Sequence, residues 1–117
     1  QVRREVITPY GNLDIVLRNP SLKTLYVIEN KVDAGEQAEQ IARYADYLKG
    51  QVKDYPYQSL LFLTPTGRDS KTAKGVLYYS LSYHADIGDW LELALPKIEA
   101  INVRETVRQY VNLVRDL

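Results

Sequence analysis

The chain predicts an α/β fold, a sandwich with a central mixed sheet of about five strands flanked by helices. Between Asn12 and Lys31, two apolar runs are joined by Arg18-Asn19-Pro20-Ser21-Leu22-Lys23, residues that stop strands and start turns, so a hairpin is expected. Downstream, Ala38, Ile41, Ala45, Leu48 and Val52 recur at helical spacing. Ser59 to Leu63 is then apolar without interruption, the mark of a strand covered on both faces.

Each element follows in order. Gln1 to Pro9 alternates Val2, Arg4 and Val6 against Arg3, Glu5 and Ile7, giving a half-exposed strand that ends at Pro9 and turns through Tyr10-Gly11. The hairpin comes next. Val32-Asp33-Ala34-Gly35 leads into a helix from about Glu36 to Lys49, stopped by Gly50. The Ser59 to Leu63 strand ends at Thr64-Pro65-Thr66-Gly67, and a polar loop leads to a strand around Val76 to Tyr83. Asp89 with Glu92, and Asn102 with Glu105, read as N-caps with an acid three residues on, so two helices should close the chain. The last places Val103, Val107, Tyr110, Val111, Val114 and Leu117 on one face, and should pack through it.

At 117 residues the chain is expected to form one domain. Its 15 basic and 15 acidic side chains cancel, so no global positive field advertises a nucleic-acid partner, and any such surface must be local. With no cysteine, disulfides and thiolate metal sites are excluded. No apolar run approaches the roughly 20 residues that span a bilayer, and no signal-peptide pattern opens the chain, so a soluble, cytoplasmic protein is expected. Methionine is absent even at position 1, which suggests a chain cut from a longer one.

The hairpin also carries the chemistry. If Pro20 to Lys23 form a four-residue loop, Asn19 pairs with Thr24, Arg18 with Leu25, Val16 with Val27, and Asp14 with Glu29. Strand alternation then sets Glu29 and Lys31 on one side. Directly opposed carboxylates, with Cβ atoms about 5 Å apart, destabilise each other unless a positive group joins them. A divalent cation is the natural candidate, since two carboxylates, a carbonyl and waters suit the oxygen shell of Mg²⁺. A plain Glu29–Lys31 salt bridge is the competing reading. On the helix, Gln40 and Tyr44 stand four apart and share a face, which is either a wall beside Glu29 or a polar rim.

The pattern Asp-x14-Glu-x-Lys on adjacent strands resembles the PD-(D/E)XK nuclease superfamily, with Leu13 where the name-giving proline would stand. The segment IENKVDAGEQAEQIARYADYL is similar to the ExK strand and Gln-x-x-x-Tyr helix of RecB-type members, while LLFLTPTG and SYHADIGDWL resemble later elements of a bacterial branch. The resemblance implies a restriction-endonuclease-like fold lacking its usual opening helix, unless a C-terminal helix takes the vacant face. It also implies phosphodiester hydrolysis of nucleic acid, DNA being the expected substrate. Asp14, Glu29 and the Asn30 carbonyl would hold Mg²⁺ or Mn²⁺, Lys31 would orient the attacking water and stabilise the developing charge, and Gln40 and Tyr44 would position substrate or water, with Gln37 a weaker candidate. An inactive nuclease-fold module for binding nucleic acid or protein is the alternative. Arg68, Lys71 and Lys74 form the one basic cluster, either a phosphate contact or a solvated loop. A homo-oligomer or a further domain of a longer chain would be the other partners. His84 is read as structural, and Glu5 as a carboxylate whose strand parity is open.

Overall fold

The computed structural model describes residues 1–9, 11–32, 40–73 and 75–117. Its elements run β1 (Val2–Thr8), β2 (Gly11–Asn19), β3 (Thr24–Asn30), α1 (Gln40–Gly50), β4 (Tyr57–Thr64) and β5 (Tyr79–Ser82), then a π-helical turn (Tyr83–Ile87), α2 (Gly88–Ala94), a 3-10 turn (Leu95–Lys97) and α3 (Ile101–Arg115). The strands form one sheet in sequential order. β1, β2 and β3 are antiparallel neighbours, whereas β4 and β5 join in parallel, so the sheet is mixed as expected. This is the architecture of a restriction-endonuclease-like fold.

The hairpin register matches the expected pairs from Asn19 with Thr24 to Val16 with Val27. Asn19 closes the loop by accepting from the Leu22 N–H through its side-chain oxygen, the Asx-turn role that makes asparagine a turn residue. Leu25 and Val27 of β3, Leu60 and Phe62 of β4, and Ile41, Tyr44, Tyr47 and Leu48 of α1 pack into one core on a single face of the sheet. On the other face, strand alternation and register put Tyr26, Tyr57 and Tyr79 on the same side, and all three are exposed. Among the described residues these tyrosines stay exposed, and α3 has α2 and the turns flanking it as its main neighbours.

Several expectations need correction. Gly50 ends α1 as its last helical residue, and Val52 lies beyond it at 53% exposure, outside the core stripe. The expected helix start at Glu36, Ala38 in the stripe and the Tyr10 turn lie outside the described residues. β5 is shorter than the expected Val76 to Tyr83, because Val76 and Tyr78 leave the ladder to pack on the core and Tyr83 enters the π turn. Neither expected cap holds. Asp89 sits inside α2, and the capping residue is Ser82, whose hydroxyl accepts from the Ala85 and Asp86 N–H groups while the Asp86 carboxylate accepts from the Ser82 N–H. Asn102 lies within the first turn of α3, whose N-cap Ala100 makes no side-chain cap. On α3 only Val111 and Val114 are buried, so the apolar face expected to pack leaves Val103, Tyr110 and Leu117 exposed. Arg115 ties α3 back instead. Its guanidinium reaches the His84 carbonyl, Asp89 and Glu92, and it lies where a Cβ on Gly88 would stand, 2.7 Å away.

Candidate active site

The site forms where the sheet is interrupted. In β1 and β2 the ladder pairs Arg4 with Ile15 and Val6 with Leu13, but skips Glu5 and Asp14 between them. Glu5 has φ 51°, a left-handed conformation that costs a non-glycine residue about 1–2 kcal/mol. Alternation breaks at the same place, since Leu13 and Val16, three apart, both enter the core. The β2–β3 ladder also stops at Ile15 and Ile28, so the expected Asp14–Glu29 pair lies one step past its end. There the Asp14 carboxylate itself takes over the pairing, accepting from the Asn30 N–H at 2.9 Å.

Glu29 stands at the buried end of β3, 1% exposed, with Lys31 Nζ 3.3 Å from its Oε1. Among the described residues neither carboxylate oxygen accepts a hydrogen bond. Burial pushes its carboxyl from 4.5 up to about 7, and the Asp14 charge adds to the rise while Lys31 opposes it. The Tyr44 hydroxyl, which donates to the Asn12 carbonyl at 2.7 Å, also lies beside Glu29 and works against the rise. Gln40 in turn donates to the Tyr44 oxygen at 3.0 Å, leaving its own buried Oε1 without a partner. The Tyr44 hydroxyl is pushed above its ordinary value by burial and by Glu29.

The chain thus brings together Asp14, Glu29, Asn30, Lys31, Gln40 and Tyr44. Among the described residues no cluster of three acidic, histidine or cysteine side chains exists, so any cation would rest on two carboxylates, a backbone carbonyl and water. That donor set fits a hard divalent ion. Lys31 is a single positive charge facing two carboxylates, so Glu29 and Asp14 together leave negative charge that a cation would offset.

Two polar grooves meet at Asp14. One, of about 660 Å³, also takes in Lys31, Gln40, Arg43 and Tyr44, and the other, of about 550 Å³, is lined by Arg4, Glu5, Asp14, Ile15 and Asn30. The basic loop lines neither. Arg68 lies over the Phe62 ring, 5.2 Å from its centroid, and donates to the Asp69 carbonyl, while Lys71 is exposed. Lys74 and Gln37 fall outside the described residues. His84 contacts the Leu117 backbone oxygen, away from both grooves. Sequence reasoning missed Arg43, although its place three residues after Gln40 sets it on the same helical face. It also missed Tyr83, whose hydroxyl donates to the Asn30 side-chain oxygen at 2.8 Å and ties the π turn to the site. No local pattern announces that contact, which joins residues 53 positions apart.

A family model described as the PD-(D/E)XK nuclease superfamily matches residues 1–112, and the chain belongs to that superfamily. Its members are generally nucleases and typically use divalent metals. No curated protein and no solved structure matches the chain.

Proposed function

We propose that the protein is a divalent-metal-dependent nuclease that hydrolyses phosphodiester bonds, with DNA as substrate and with a RecB-type site. The observation that carries this is the buried Glu29 carboxylate, ion-paired to Lys31 and facing Asp14, with no hydrogen bond to its oxygens among the described residues. Asp14, Glu29 and the Asn30 carbonyl would hold Mg²⁺ or Mn²⁺. Such an ion, when bound, supplies Lewis acidity toward a phosphate oxygen and acidifies water. Asp14 is pre-set for its part by the Asn30 N–H, which fixes one oxygen and leaves the other available. Lys31, held by Glu29, donates to the attacking water and offsets charge that grows on the phosphate in the transition state. The Oε1 of Gln40, without a partner among the described residues, would accept a hydrogen bond from that water and fix its direction. Tyr44 stays protonated at neutral pH and holds α1 against β2 through Asn12, so it positions Gln40 and takes no proton.

Cleavage of single- and double-stranded DNA and RNA with Mn²⁺ tests the reading. The parent should cut DNA only with metal, and Asp14→Ala or Lys31→Ala should lower the rate at least about a hundredfold, the usual scale for losing a transition-state charge partner. Metal-independent cutting, or full activity in either variant, would sink the mechanism. DNA binding without cutting would favour the inactive-module reading, which the zero net charge does not require.

A further inference from the structure

Asp14 is the one residue shared by the two grooves, and the break in the sheet explains why. Lys31, Gln40 and Arg43 approach it from the side of α1, whereas Arg4 and Ile15, paired across the sheet, approach from the other. Each groove holds one arginine. Among the described residues, Arg43 keeps a buried Nε without a hydrogen-bond partner, and neither Arg43 nor Arg4 forms an ion pair. A guanidinium in that state is an unused anion site, because its fork of donors matches two oxygens of a phosphate. We propose that a single nucleic-acid strand crosses the sheet at Asp14, with Arg43 and Arg4 holding the phosphates on either side of the one that sits over Asp14. This rests on the nuclease reading and names the path its substrate takes. The chemistry recognised is the sugar-phosphate backbone, so binding should ignore base sequence. Glu5 shares the groove with Arg4 and repels a phosphate, so that side depends on its arginine more than the α1 side does.

The test measures binding of a fluorescent single-stranded oligonucleotide to the full chain across a salt series in metal-free buffer, where cleavage does not interfere. Each phosphate contact contributes about 0.7 to the slope of log affinity against log salt for single strands. Arg43→Gln and Arg4→Gln should each flatten the slope by about that amount. Arg43→Lys and Arg4→Lys, which keep the charge, should restore it, and Arg108→Gln on α3, which lines neither groove, should leave it unchanged. Unchanged slopes in both glutamine variants overturn the proposal even if the parent cuts DNA, and so does a parent that binds no strand. Flattened slopes in a parent that never cuts would uphold the path and reject the nuclease reading.

Discussion

Glu29 shows how far one side chain departs from its solution behaviour. Its folded-state carboxyl titrates near 7 rather than 4.5, so the folded state holds that proton more tightly than the unfolded state does. In metal-free buffer its contribution to stability is therefore complete below pH 4.5 and is lost as pH rises through 7. The full span is about 3 kcal/mol by linkage, and the Lys31 ion pair is already included in it. Glu29→Gln, which mimics the protonated acid, should remove this slope and raise metal-free stability at pH 8 by about 1–3 kcal/mol, read by urea denaturation at several pH values. A variant that is less stable than the parent at pH 8 would show that the Lys31 pair outweighs desolvation. Asp14 behaves differently, since one oxygen already has a backbone partner. Asp14→Asn keeps that acceptor and should fold like the parent while losing metal-dependent cutting, whereas Asp14→Ala also strands the Asn30 N–H.

At the scale of elements, the π turn and α2 depend on Ser82. Two backbone donors end on its hydroxyl, so Ser82→Ala should cost about 1 kcal/mol, seen as a lower Tm. Asp89→Ala should cost less, because Asp89 offers only an exposed pair to Arg115. The contrast explains what could be read from residues. The β2–β3 register was legible because Asn19, Pro20 and Ser21 admit few loops and the apolar alternation admits one register. The helix starts were not, since Ser82-x-x-x-Asp86 and Asp89-x-x-Glu92 offer equally good caps, and tertiary contact of Tyr83 with Asn30 favours the first. The crease at Glu5 was invisible for a related reason. Glutamate has no preference for positive φ, so nothing local marks the residue at which the β1–β2 ladder breaks. The site trio was legible through resemblance and hairpin geometry together, while Arg4 and Arg43 needed the fold.

For the whole molecule, the described sheet packs its main core under α1 and leaves Tyr26, Tyr57 and Tyr79 exposed on the other face, with Tyr57 66% exposed. The α1 side therefore bears both the core and the acids, and metal binding should feed directly into global stability. Mg²⁺ or Mn²⁺ at about a hundredfold above its dissociation constant should stabilise the folded chain by about 2.7 kcal/mol, measurable as a Tm increase. That increase should vanish in Asp14→Ala. The sheet also transmits the event, because its last bond between β2 and β3 is made by the Asp14 side chain and not by a carbonyl. An ion drawing on that carboxylate must compete with the amide of Asn30. This one proton is accordingly a resident spectroscopic gauge: its NMR resonance should shift, and its exchange with solvent quicken or slow, in step with metal loading, while amides in the core of β3 stay still.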